Sequence, residues 1–403
     1  MLPVRQKDNQ INVQDKKKNV NPYYLVMSGR FKTAKYVTLC ILVVFLLTMI
    51  VLFRSEITIE NLRYLFKDFE FGDNVNVGPN DTITFDSDVQ VNFGMFKGDL
   101  VIAGSSYFYL TDLQGNKRLN ENSMYSNPVI ETGDKYMLVY GLSEYSYSIY
   151  NTFSMLHTET FDYPISAAAV SDKGMYAIVT RSAKYRSVVH LYNENFECIG
   201  VVSKDKYVMD IEFNENSSEL LITSVYSKDG KFCTEVVNYA PYSDKHKSLV
   251  EIEKSMPLKT GYNRHNGYSI VFDDKIEFYD NTANLVNTYE LSSDIIPLVV
   301  EICKDYTIIV YNKNIVGDDI EIMVFDTNGN LVRVADANGQ PKKVRHYKES
   351  IYILLDGNIC KFNLSDKSIQ YFKTEKNSCD LHIIDENTAI VCFINHTTKV
   401  NLY

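Results

Sequence analysis

The chain has 403 residues, enough for a large core, with 51 acidic against 41 basic residues and a formal net charge of −10. That balance excludes a nucleic-acid surface, which needs clustered Lys and Arg. Tyr (30) and Phe (21) are plentiful and Trp is absent, which weakens any site that depends on a Trp platform.

The charge is unevenly spread. Residues 1–35 hold eight basic and two acidic residues, and residues 1–22 carry no apolar period. They read as a disordered basic tail. Residues 36–53, YVTLCILVVFLLTMIVLF, contain no charge, and Thr38 and Thr48 are their only strongly polar members. Eighteen residues at about 1.5 Å each make roughly 27 Å, close to the hydrocarbon thickness of a bilayer. A signal peptide would end in a small-x-small cleavage site, whereas this run ends TMIVLFRSE. A core helix would show a polar face, and this one is apolar all round. The run is therefore expected to be a retained signal-anchor that crosses the lipid bilayer once. Basic residues beside a span stay in the cytoplasm. The expected topology is an N-terminus inside and the remainder outside the plasma membrane. That remainder, residues 55–403, holds 32 basic and 49 acidic residues.

In residues 54–79, Leu62, Leu65, Phe66 and Phe69 follow helical spacing and Gly72 supplies a stop. This predicts a short juxtamembrane helix and linker, acting as a spacer.

From residue 80 to 403 the pattern alternates with period two. A strongly apolar strand recurs as DLVIAGS (99–105), KYMLVYG (135–141), GMYAIVT (174–180), ELLITSV (219–225), GYSIVFD (267–273), DYTIIVY (305–311), SIYILLD (350–356) and TAIVCFI (388–394). Turn residues follow many of the next strands, as in TDLQGN, YDNTAN and FDTNGN. A period of roughly 40 residues with four strands per unit is the signature of a β-propeller. Burial explains the repetition, because one blade has two apolar faces and needs a neighbour on each. The expected fold is all-β, an eight-bladed propeller, with seven blades as the alternative. The last unit stops at Tyr403 without a fourth strand, and NDTITFDSD (80–88) precedes the first. If that segment pairs with KVNLY (399–403), the N-terminal strand closes the last blade and removes two exposed edges.

With its short basic tail, single span, juxtamembrane run ENLRYLFKDF and pyrroloquinoline-quinone-like or WD40-like repeats, the chain resembles the membrane-anchored bacterial propeller proteins typical of Firmicutes that are catalogued as a domain of unknown function. The resemblance implies fold and topology. It brings no catalytic residue and no cofactor.

The residues themselves offer little chemistry. The seven histidines form no HxH or HxxxH pair, and no CxxC, GxSxG, P-loop or GxGxxG occurs. No metal site, cofactor or catalytic residue is expected. The six cysteines beyond Cys40 fall mostly in apolar strands and read as small buried thiols, with a Cys379–Cys392 disulfide left open. A binding site is expected at the channel mouth, lined by the first strand of each blade. Those strands offer Asp210, Glu212, Arg264, His265, Glu301, Arg345, His346 and His382. Both signs of charge converge there, which suits a polar ligand or simple mutual pairing. The leading functional reading is a scaffold binding a protein or cell-wall partner. The alternatives are a hydrolase, lyase or oxidoreductase at the channel mouth, and a single-span ligand sensor.

Overall fold

The structure is a computed structural model, and it describes residues 22–52, 82–243, 245–292, 295–314 and 318–403. The chain divides into two compact units, Met1–Asn74 and Val75–Tyr403.

In the first unit a helix runs from Pro22 to Leu52. Proline suits a first helical turn, where its missing N–H is not needed. Residues 22–35, expected to belong to an unstructured tail, are therefore helical. Thr48 Oγ1 bonds back to the Val44 carbonyl at 2.8 Å, which removes its polar cost on an apolar helix. Large apolar side chains from Phe31 to Val51 stand exposed, and Gly29–Met49 is long and apolar enough to cross a membrane. The expected juxtamembrane helix lies outside the described residues.

The second unit contains eight four-stranded antiparallel sheets among the described residues. Blade 1 spans Asn92–Glu121, blade 2 Pro128–Thr160, blade 3 Ile165–Lys204 and blade 4 Tyr207–Glu253. Blade 5 spans Pro257–Glu290, blade 6 Pro297–Asn338 and blade 7 Pro341–Lys373. Blade 8 takes three strands from Asp380–Asn401 and its outermost from Thr82–Thr84. That outermost strand pairs Thr82 with Thr398, Ile83 with Thr397 and Thr84 with His396. The ring thus closes as expected, though on the start of the last strand and not on its KVNLY end. Eight blades replace the seven-bladed alternative.

The second strands show why the ring is needed. Asp99–Ala103, Met137–Gly141, Tyr176–Thr180, Tyr268–Phe272 and Ser350–Leu355 are buried at every position. Their alternate side chains enter different cores. Leu100 and Ile102 pack with Ile390 and Cys392 of blade 8, whereas Val101 and Ala103 pack with Met137 and Val139 of blade 2. Each of the eight interfaces between neighbouring blades holds its own apolar cluster.

The hairpins joining third and fourth strands repeat one device. The carboxylates of Asp112, Asp280 and Asp326 accept from the backbone N–H groups two and four residues on, at 2.8–3.0 Å. These are the turns read from TDLQGN, YDNTAN and FDTNGN.

All seven cysteines are free. Cys379 and Cys392 do lie on paired segments, but the Cys379 thiol donates to the Cys392 carbonyl at 3.2 Å. Cys233, Cys360 and Cys392 are buried as expected, whereas Cys198 and Cys379 are exposed.

The seam between blades 8 and 1 provides a test. Leu100 is fully buried there, so Leu100→Ala is expected to lose about 3 kcal/mol of stability. Val89 is 86 % exposed, so Val89→Ala should stay within about 0.5 kcal/mol of the parent. Urea midpoints of the full chain in detergent report both, and equal midpoints would mean that the seam is not formed.

Candidate functional site: the charged bore

The first strand of each blade lies innermost, and neighbouring first strands pack against one another around a central bore. Ladder registers align these strands. Gly94, Glu131, Ala169, Glu212, Gly261, Glu301, Arg345 and His382 occupy one equivalent position. Two ladder steps earlier come Asn92, Val129, Ala167, Asp210, Lys259, Val299, Lys343 and Asp380. The two sets form two tiers, and each side chain leans toward the next blade.

That lean sets the contacts. Lys259 Nζ is 3.7 Å from Asp210 Oδ2 of the preceding blade. Arg345 joins three blades: Nη2 is 3.0 Å from Asp380, Nη1 is 3.7 Å from Glu301, and Nε donates to the Leu381 carbonyl at 2.9 Å. Beside Glu131, Glu212 and His382 the equivalent position of the next blade holds a small residue. These residues are Ala169, Gly261 and Gly94; Glu212 leans toward Gly261, and His382 Nε2 stands 3.8 Å from Asp380 Oδ2. At Gly261 this space is required, because a Cβ there would sit 2.8 Å from Ile302 Cγ2 and 3.2 Å from Glu212 Oε2.

In the two tiers five carboxylates (Glu131, Asp210, Glu212, Glu301, Asp380) face three cations (Lys259, Lys343, Arg345). Burial pushes the Glu131 carboxyl up to about 7, with Lys259 opposing and Asp210 reinforcing the rise. Burial likewise lifts Glu212 to about 7, again against Lys259. Both keep part of their surface open to solvent. Burial alone would lower Lys259, but Asp210, Glu212, Glu301 and Glu131 together hold it above its usual value. Burial pushes His382 down to about 4 despite nearby Asp380, and Arg345 and Lys343 add to the fall. His382 is 8 % exposed, and its Nε2 has no hydrogen-bond partner among the described residues.

Of the sequence-derived candidates, the structure brings Asp210, Glu212, Glu301, Arg345 and His382 together in the bore. Arg264 and His265 lie past the strand end, in the exposed turn after Tyr262, where Arg264 pairs with Asp305 at 2.7 Å. His346 is one residue out of phase with Arg345 and packs edge-on against Tyr306. Sequence reasoning passed over Glu131, Lys259, Lys343 and Asp380. Three of them stand in the same strand segments as the candidates, at the other tier.

The two ends of the bore differ. At the end formed by the turns between first and second strands, Lys304 of blade 6 reaches Glu215 of blade 4 at 2.8 Å. The other end carries exposed apolar side chains. In blades 4, 5 and 6 a β-bulge leaves Met209, Leu258 and Leu298 out of the ladder. With Tyr207, Met256 and Ile296, two positions earlier, they form an arc that is 42–71 % exposed.

Residues 76–402 match a family described as a family of unknown function, DUF5711. The chain belongs to the DUF5711 family. No curated protein matches the sequence. Among solved structures, the computationally designed Ika8 protein is similar, with a TM-score of 0.63 and 10 % identity over 79 % of this chain and 99 % of its own. BamB from Moraxella catarrhalis gives 0.54 and 10 % over 80 % and 98 %. Sqt1 from Chaetomium thermophilum gives 0.58 and 10 % over 80 % and 100 %. At such identity the likeness concerns the fold. It agrees with the expectation of a propeller family without an assigned activity.

The bore of this DUF5711 propeller makes a pH prediction. The carboxyls of Glu131 and Glu212 start from an ordinary value of 4.5 and rise to about 7 on folding. The folded state therefore holds their protons more tightly. Their contribution to stability is fully present below about pH 4.5 and is lost as pH rises through about 7. The Glu131→Gln/Glu212→Gln double variant should melt higher than the parent at about pH 8, and the gap should close toward about pH 5. Thermal unfolding at both pH values measures it, and parallel profiles would contradict it.

Proposed function

We propose that this DUF5711 protein is a membrane-anchored scaffold whose propeller stands outside the cell and binds another protein. The observation that carries the reading is the apolar arc of blades 4 to 6. Its six side chains belong to no core, and they cluster at one end of one surface while single exposed apolar residues are scattered elsewhere. A rigid ring presents such a patch without the entropy cost of ordering it. Sqt1, which shares the fold, is bound to the N-terminus of the ribosomal protein L10. The anchor reading draws on the outward apolar helix and on the basic residues Arg30, Lys32 and Lys35 at its start. A cell-wall polymer is a weaker candidate, because a polysaccharide would favour polar and aromatic contacts over the aliphatic side chains that dominate the arc.

The enzyme reading retains one observation in its favour, the two bore carboxylates whose protonation changes near neutral pH. Turnover of a model ester or glycoside, abolished by Glu212→Gln, would establish it.

Two measurements test the scaffold. Cys198 and Cys379 are both exposed, so in a Cys379→Ser background a membrane-impermeant maleimide should label Cys198 in intact cells, and a further Cys198→Ser change should remove that label. Labelling of Cys198 only after lysis would refute the topology. A photo-cross-linking residue at Met256 or Ile296 should capture one partner protein in intact cells, and the same residue at Tyr371 on the outer rim should not. Equal capture at both places would remove the arc as the binding surface.

A further inference from the structure

The arc stands over a bore whose charges do not balance, and the two features share the same strands. Met209 is the bulge residue of the strand that carries Asp210 and Glu212, and Leu258 precedes Lys259 directly. Glu212 lies three residues below the bulge, about 10 Å along an extended strand. The carboxylates of Asp210, Glu301 and Asp380 each have a cation within reach. Glu131 and Glu212 have no ion pair at contact distance among the described residues; the one cation whose field reaches both is Lys259, whose contact partner is Asp210. A buried carboxylate without a paired cation is costly, and it either takes up a proton or is met by a positive group.

Resting on the scaffold reading, we infer that the arc and the bore form one site for a protein segment that lays aliphatic side chains on Met209, Leu258 and Leu298 and sends a lysine or arginine down the bore to Glu131 and Glu212. A long cationic side chain fits both halves, because its methylene stem packs on apolar surface while its charge travels to the end. Entry is from the bulged end, where Met209 and Leu258 directly precede Asp210 and Lys259. Residues 55–403, with 49 acidic against 32 basic residues, attract a basic partner from a distance and repel anionic headgroups.

The test uses the full chain in nanodiscs as bait for a displayed library of random peptides, followed by the synthetic form of the most enriched sequence. Enriched peptides are expected to combine Leu, Ile, Val, Met or Phe with at least one Lys or Arg. Replacing that basic residue with norleucine should weaken binding by about tenfold or more, as should Glu131→Gln/Glu212→Gln in the protein. Leu258→Asp changes an exposed side chain and should also abolish binding with folding intact, whereas Val201→Asp on the outer rim should not alter it. Enrichment of acidic or purely apolar peptides, enrichment of none, or equal binding to the Gln variant overturns the inference. A partner captured through Met256 in cells but indifferent to the Gln variant would leave the scaffold standing and remove only the bore. Failure to capture any partner would remove both.

Discussion

The structure depends on strands that must be covered from both sides. A second strand such as Asp99–Ala103 or Tyr176–Thr180 has no face that tolerates water. No single blade can satisfy it, and two stacked blades leave two bare faces. Only a ring covers every face, and the eight apolar clusters between neighbouring blades are the direct result. The cores lie between sheets, so the axis is left to the inner edges. Side chains there are free to carry charge, and that is where Glu131, Asp210, Glu212, Lys259, Glu301, Arg345 and Asp380 are found.

This division of labour explains the asymmetry of the bore. The cores are repeated eight times with interchangeable Val, Ile, Leu and Phe. The axis is not repeated. Small residues at Gly94, Ala169 and Gly261 alternate with long ones, and the paired charges join blade 4 to blade 5 and blade 7 to blades 6 and 8. Glu131 of blade 2 and Glu212 of blade 4 have no ion pair at contact distance among the described residues and share the field of Lys259 with Asp210. The bulges act on the same strands, turning Met209, Leu258 and Leu298 out of the ladder just above the charged tiers. A repeat unit selected for burial has thus been individualised only where burial makes no demand.

The ring was legible because burial on two sides prints as an uninterrupted apolar run, and the missing fourth strand of the last unit pointed to Thr82–Thr84. Asp210, Glu212, Glu301, Arg345 and His382 were legible as charges inside otherwise apolar first strands. His346 was not separable from Arg345, because adjacent residues of a strand point to opposite faces and the phase cannot be read without the ladder. Arg264 and His265 fell beyond the strand end, a boundary that the asparagine and glycine of the turn blur. Lys259 and Lys343 follow a bulge, as Asp210 does, but each opens its segment, KTGYNRH or KVRHYKE, where a lysine reads as the solvated flank of a strand. Glu131 sits in PVIET, where a charge beside Thr reads as the approach to a turn. The helical segment upstream of Tyr36 was hidden by its basic residues, which resemble a tail in composition although nothing in them breaks a helix.

The strand Thr82–Thr84 is synthesised first among those of the ring, and its partners His396–Thr398 come almost last. More than 300 residues must leave the ribosome before this ladder can form. Until then blade 1 keeps one bare flank and the newest blade keeps the other, so the circle cannot be sealed during translation. Any chain cut short before Asp380 would lack blade 8 and remain an open crescent, with a hydrophobic wall at each end seeking a substitute neighbour.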